Sequence, residues 1–290
     1  MDISIITAFY YGNAFMDALV ENINNVAHAI KNSARVELVI VNDSPEVSVL
    51  ISNTKEKEFE LTIINNAVNM GIQKTRVAGL KVAKGDWIVF LDQDDELKAD
   101  GFCRMIECCD YADIIVGNLL YEYDGKQIKF YKNDKVLKHA IKFRNFLMVR
   151  NMIPSPGHCL IKKEKIPDLW KKKPLINNGA DDYLLWILMF KMNCKFKTVG
   201  ECVYQHNDNG GNNLSLNIDK MYSSSKEMIS VLKTNSVLTK SELRKLERCV
   251  EFKHLQDGDG LSLKKKLEYC DVIMGIAGYK LGMLLFGWIG

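Results

Sequence analysis

The chain has 290 residues, 47% of them hydrophobic, which is enough for one large α/β domain or for one domain with a smaller appendage. A charged fraction of 26% and a net charge of +3 are ordinary for a globular protein and give no sign of a nucleic-acid partner. The eight cysteines form no C-x-x-C pair and sit in apolar stretches, so they read as buried free thiols of a reducing compartment rather than as a zinc site. Asp2 follows the first Met and an apolar run begins at Ile3, so no signal peptide is read and the expected location is the cytoplasm. Residues 3–9 read as a buried strand. Residues 14–30 carry Phe15, Leu19, Ile23 and Val26 at helical spacing. A second strand is expected over 36–41, ending in the turn cluster Asn42-Asp43-Ser44-Pro45, and a third over 61–64. Residues 72–83 read as a helix with Gly85 as its stop, and residues 87–91 as a strand without a polar interruption. Another strand is expected at 114–116.

Strands alternating with helices predict an α/β fold around a mostly parallel sheet. Ligands of such sheets sit beyond the carboxyl ends of the strands. Residues 7–10, 42–44 and 92–95 each lie just past a strand end, so three distant segments are expected to meet in one crevice. After residue 215 the pattern turns helical. Helices are expected over 220–232 and 241–255, the second opened by a capping box of Thr239 and Glu242, and one further helical segment over 262–290.

The stretch Asp92-Gln93-Asp94-Asp95-Glu96 puts four carboxylates within five residues at the end of a buried strand. Their mutual repulsion calls for a cation, and hard oxygen donors suit Mg²⁺ or Mn²⁺ shared with substrate phosphates. An acidic surface turn is the plainer alternative. A calcium loop of the helix-loop-helix type would need Gly where Leu97 stands. An aspartyl-phosphate phosphatase would place its D-x-D near the first strand, with Thr or Val where Glu96 stands.

Several ordered motifs over residues 1–215 resemble the family 2 glycosyltransferases. They are Ser4-Ile5-Ile6-Thr7 with Tyr10-Tyr11-Gly12-Asn13, Val41-Asn42-Asp43-Ser44, Asn69-Met70-Gly71 with Arg76, the strand from Lys84 into Asp92-Gln93-Asp94-Asp95, and Gly179-Ala180-Asp181-Asp182. Ala8 replaces the family's usual Pro, Asn42 and Pro45 alter the second turn, and Asp181 replaces Glu.

The resemblance implies a GT-A fold: a Rossmann-like, mixed and mostly parallel sheet flanked by helices, with a helical C-terminal extension. It implies a catalytic domain over 1–215 and a helical region over 216–290. It further implies an inverting, metal-dependent transfer from a nucleotide-diphosphate sugar, with UDP as the expected nucleotide. Thr7, Phe9, Asp43, Gly71, Arg76, Asp92 and Gln93 are then expected at the donor. Asp94, Asp95 and His206 are expected at Mn²⁺ or Mg²⁺, Asp182 as the general base, Asp181 as the cap of the following helix or at the acceptor, and His158 at the acceptor. Residues 204–215, polar and Gly-rich, are expected to form a mobile loop.

Residues 271–290 carry only Asp271 and Lys280 as charges, with Trp288 near the end and Lys264, Lys265 and Lys266 upstream. Lys280 near the middle argues against a spanning helix and for a peripheral membrane helix within 264–290. A helix packed on protein is the other reading. A membrane contact would suit a lipid-linked saccharide acceptor at the inner face of a plasma membrane, as in bacterial surface polysaccharide assembly. A non-catalytic sugar-nucleotide-binding module and a nucleotidyltransferase are the competing functions. The latter commonly needs a basic, Gly-rich loop after the first strand, and residues 7–13 hold one Gly and no basic residue.

Overall fold

The computed structural model describes residues 1–52, 56–123, 126–207, 217–258 and 260–287. The chain divides into two compact units, each assembled from several stretches. The first comprises Met1–Tyr131, Ser155–Ile166 and Cys194–Gly210, and the second Lys132–Pro154, Pro167–Asn193 and Gly211–Gly290.

The first unit is built on one sheet. Strands β1 (Asp2–Phe9), β2 (Arg35–Asn42), β3 (Glu60–Asn65) and β4 (Trp87–Phe90) run parallel in the order β3-β2-β1-β4. β4 is buried at every position, as its unbroken apolar sequence requires, and β2 at every position after Arg35, with the buried Glu37 accepting from Ser4 Oγ and the Lys84 N–H. Helix α1 (Asn13–Ile30) buries Met16, Leu19, Val20, Ile23, Val26, Ala27 and Ile30, one stripe at three- and four-residue spacing. That stripe joins Ile3, Ile5, Leu38, Ile40 and Val89 in the main core, each large side chain stabilising the unit by about 1.5–3 kcal/mol. Helix α2 (Ile72–Val82) packs on β1 and β2, with Gly79 close against Ile6.

Beyond β4 the sheet becomes mixed. β8 (Cys159–Lys162) is antiparallel to both β4 and β6 (Ile114–Tyr123), and β9 (Phe196–His206) lies parallel to β6. The two-residue β5 (Glu96–Leu97) pairs antiparallel with the end of β9, Glu96 opposite Gln205 and Leu97 opposite Tyr204. β7 (Lys126–Lys129) forms a hairpin with β6, and α3 (Ala99–Ile106) packs on β9. The expected α/β fold with a mixed, mostly parallel sheet is thus present. The short antiparallel strands β5 and β8 are not legible in the sequence because neither carries a local period.

The second unit is helical: α4 (Asp134–Ala140), α5 (Phe143–Met148), α6 (Asp168–Lys172), α7 (Asp181–Lys191), α8 (Ile218–Thr234), α9 (Lys240–Asp257), α10 (Leu263–Glu268) and α11 (Cys270–Gly287). α7 is its centre, buried from Tyr183 to Met189. The capping box of α9 forms as expected: Thr239 Oγ1 accepts from the Glu242 N–H, and Glu242 accepts from the Thr239 N–H at 2.8 Å. The single helical segment expected over 262–290 is two helices. Tyr269 leaves helical geometry at φ −103°, ψ 27°. Its buried ring packs against Phe252 and under the Arg248 guanidinium, which also takes the Glu268 carbonyl at 2.6 Å. Tertiary contacts therefore set that break. Residues 288–290, including Trp288, lie outside the described residues.

Candidate active site

The three segments expected to converge do so in the first unit, at the carboxyl ends of β1, β2 and β4. The Asp43 N–H donates to the Phe9 carbonyl at 2.8 Å, and the Tyr11 N–H to Ser44 Oγ at 3.0 Å. The Gln93 side chain bonds Tyr10 twice: its Oε1 accepts from the Tyr10 N–H at 2.9 Å and its Nε2 donates to the Tyr10 carbonyl at 3.1 Å. Gly12 lies close against that amide, and a Cβ there would displace the Gln93 side chain. Gln93 was expected at the donor, yet its amide ties the β1 loop to the β4 loop. Phe9 buries its ring in the core, so only its backbone borders the crevice. Thr7 is also buried, and its hydroxyl has no hydrogen-bond partner among the described residues.

Asp43 organises the turn before α2. It is 5% exposed and accepts from Asn66 Nδ2 at 2.7 Å, the Met70 N–H at 2.8 Å and the Gly71 N–H at 2.9 Å. Gly71 sits at φ 83°, ψ 161°, a conformation that side chains rarely adopt, and so turns its N–H onto the carboxylate. One turn into α2, Arg76 is buried and donates to Asp92 Oδ1 at 2.8 Å, with its guanidinium 5.8 Å from the Phe90 ring centre.

The acidic run is not a uniform cluster. Asp92 is paired with Arg76, and Glu96 with Lys98 at 3.0 Å. Asp95 is buried and accepts from the Tyr204 hydroxyl, from His206 Nδ1 at 3.0 Å and from the Asn207 N–H at 2.9 Å. Protein groups thus relieve much of the repulsion that the sequence pattern would otherwise leave to a cation. Asp94 is half-buried, and its carbonyl accepts from Asn207 Nδ2 at 2.9 Å.

Burial pushes the Asp95 carboxyl above the usual carboxylate range, against the donors around it. The Asp95 hydrogen bond raises the His206 ring above its ordinary value, opposed by partial burial. Burial, with Asp95 adding to it, raises the Tyr204 phenol well above its usual value, so it stays protonated and donates. Ser155 Oγ in turn donates to the Tyr204 oxygen at 3.2 Å.

The donor chemistry fits Mg²⁺ or Mn²⁺. Among the described residues no three His, Cys, Asp or Glu side chains converge as a metal cage. An ion held by one or two carboxylates takes its remaining ligands from water and substrate phosphates. Asp94, half-buried on the loop after β4, is the carboxylate expected in that role. With Nδ1–H donated to Asp95, the half-exposed His206 ring keeps its lone pair on Nε2, the usual arrangement of a metal-binding histidine. Asp95 therefore orients His206 in this structure rather than standing as an open ligand. Of the loop expected over 204–215, residues 204–206 belong to strand β9, paired with β5 and β6, and residues 208–215 lie outside the described residues.

Asp181 and Asp182 belong to the second unit and occupy the first turn of α7, where the helix dipole favours negative charge. Ala180, not a carboxylate, holds the N-cap position. Asp181 is buried, and its carbonyl accepts from Trp170 Nε1 at 2.8 Å. Asp182 is partly buried: its Oδ1 accepts from the Tyr183 N–H at 2.7 Å and its Oδ2 from Asn151 Nδ2 at 3.0 Å. Asn151, Tyr204 and Ser155 carry no signal in the sequence. Each is recognisable only by its partner far along the chain.

His158, expected at the acceptor, is wholly buried in the first unit, with Nδ1 donating to the Gly117 carbonyl at 2.7 Å between the rings of Tyr131 and Tyr204. A ring so enclosed has no face for a ligand. Burial drives its pKa down to about 4.

Residues 4–170 match the family model described as Glycosyl transferase family 2. An uncharacterized glycosyltransferase of Haemophilus influenzae is 32% identical over 108 residues, covering 37% of this chain and 32% of that protein. The succinoglycan biosynthesis protein ExoO of Rhizobium meliloti is 28% identical over 134 residues, covering 43% of this chain and 38% of that protein. The minor teichoic acid biosynthesis protein GgaB of Bacillus subtilis is 32% identical over 115 residues, covering 38% of this chain and 12% of that protein. The matches thus span about a third or less of the first and last of these relatives. Among solved structures, S. aureus TarS 1–349 in complex with UDP-GlcNAc shares the fold, with a TM-score of 0.59 at 16% identity over 98% of this chain and 82% of that one.

Proposed function

The chain belongs to glycosyl transferase family 2, and we propose that it is an inverting, metal-dependent glycosyltransferase that moves a sugar from a UDP-sugar to a saccharide carried on lipid. The observation that carries this reading is the meeting of Asp92, Asp94 and the Asp95–His206 pair with the Asp43–Gly71 turn beyond the ends of parallel strands. UDP as the nucleotide draws support from the likeness to TarS, whose structures hold UDP-GlcNAc and UDP. A surface-polymer acceptor draws support from relatives named for succinoglycan and teichoic acid synthesis.

In this reading the Asp43–Gly71 turn receives the nucleotide base, and Arg76 holds Asp92 towards the ribose. Asp94 and His206 Nε2 would hold the cation, whose chemistry is to neutralise charge developing on the leaving diphosphate. Asp182 takes the proton of the acceptor hydroxyl. Asn151 and the Tyr183 N–H fix that carboxylate's rotamer, so little reorientation is needed when the proton moves. Asp181, beside it, borders the acceptor.

Calorimetry of UDP, with and without Mn²⁺, on the wild-type chain and on Asp94→Asn tests the reading. Mn²⁺-dependent UDP binding that Asp94→Asn weakens at least about tenfold is expected. UDP binding equal with and without Mn²⁺, or unaffected by Asp94→Asn, would remove the cation from the site.

A further inference from the structure

Helix α11 is apolar around most of its circumference, yet only one side of it is covered. On the covered side Val272 is buried, a Cβ on Gly275 would meet Met148 at 2.7 Å, and the Tyr279 ring stacks on His139 at 5.4 Å. These contacts fix the helix rotation within the second unit. The other side carries Met274, Leu281, Leu284 and Leu285, each 59–68% exposed. Leu263 and Leu267 of α10 are more exposed still, at 76% and 69%. The Tyr269 N–H bonds the Lys265 carbonyl and the Ile273 N–H bonds the Tyr269 carbonyl, so the two helices abut at Tyr269. At about 100° per residue, Met274, Leu281, Leu284 and Leu285 of α11 fall within one arc of about 100°.

Among the described residues, the charges around that arc that make no ion pair are basic. Lys280 borders it, and Lys264 and Lys266 stand beside Leu263 and Leu267 on α10. All three are exposed and make no ion pair among the described residues. The one acid on the border, Asp271, is neutralised by Arg248 at 2.6 Å. Among the described residues no helix is long and apolar enough to cross a membrane. A second copy docking on this stripe would bring two sets of unpaired lysines together. An anionic surface complements them, and lysines at the edges of an apolar face keep their ammonium groups at the headgroups while the leucines enter the acyl boundary.

We propose that α10 and α11 form an interfacial helix pair that docks the chain on anionic lipid through Leu263, Leu267, Met274, Leu281, Leu284 and Leu285, with Lys264, Lys266 and Lys280 as its electrostatic rim. The proposal stands on this surface alone and does not depend on the roles of Asp94 or Asp182.

The test is co-sedimentation of the full chain with vesicles of mixed phosphatidylglycerol and phosphatidylcholine, against pure phosphatidylcholine. Preferential binding to the anionic vesicles is expected, weakening as salt rises. Combined Lys264→Ala, Lys266→Ala and Lys280→Ala should weaken it about a hundredfold, at about 1 kcal/mol per lysine. Leu281→Glu with Leu284→Glu should weaken it at least about tenfold, with the melting temperature of both variants kept, since all five side chains are exposed. Absence of binding to anionic vesicles, or binding that ignores both sets of variants, overturns the proposal. So does a concentration-dependent dimer in light scattering that Leu281→Glu dissolves, which would assign the stripe to a second copy.

Discussion

Tyr204→Phe isolates the hydrogen bond that the Tyr204 hydroxyl makes to Asp95. The wild-type carboxylate has three donors: the phenol, His206 Nδ1 and the Asn207 N–H. Removing the phenol leaves a buried carboxylate with two, and deprives Ser155 Oγ of its acceptor. A hydrogen bond to a charged group contributes about 1.5–3 kcal/mol net, which corresponds to a fall of several degrees in melting temperature for a chain of this size. The functional consequence is separable. An Asp95 carboxylate less firmly held orients His206 less firmly, and loss of such a partner typically costs about 10–100-fold in metal affinity. Thermal melting of the variant, followed by Mn²⁺ titration in the presence of UDP, measures both quantities. A lowered melting temperature with unchanged Mn²⁺ affinity would refute the orienting role of Asp95 and leave Tyr204 a core residue only.

Asp182→Asn keeps an oxygen for the Tyr183 N–H, so fold and UDP binding should persist while turnover falls by about 10²–10⁴; turnover within a few-fold of wild type would assign the proton transfer elsewhere. His158 predicts an acid limb. Its folded pKa of about 4 lies below the unfolded value of about 6.5, so the unfolded chain binds the extra proton first as pH falls. Stability should therefore be unaffected by this group above pH about 6.5 and decline by about 3 kcal/mol between there and pH about 4. His158→Gln should flatten that decline in chemical denaturation across the pH range, and an equally steep limb in the variant would mean that other groups cause it. Gly71→Ala should cost about 1–3 kcal/mol of stability at its positive φ and loosen the Asp43 turn, read as weaker UDP binding; full UDP affinity in the variant would detach that turn from the nucleotide.

Much of the first unit was legible because its information is local. The mostly apolar runs at β1 and β2 and the unbroken one at β4 mark buried strands, and the stripe of α1 marks a helix with one core face. An acidic run directly after β4 places carboxylates at the ligand-binding end of a parallel sheet by topology alone. The capping box at Thr239 was readable for the same reason, since both its partners lie within one turn.

What each acid does was decided by tertiary structure. Asp95 and Tyr204 are 109 residues apart and meet because the two-residue β5 pairs with the end of β9, a register with no period of its own. That pairing turns Asp95 onto Tyr204 and His206. Gln93 spends its amide on Tyr10, and His158 is enclosed by β6 and β9 neighbours, because both depend on how close other strands approach. The break at Tyr269 follows from Arg248 reaching the Glu268 carbonyl. Sequence periodicity fixes which face of an element is buried; the long-range register of the sheet and the packing between helices fix which polar group meets which, and it is those meetings that set charge, proton and ligand position.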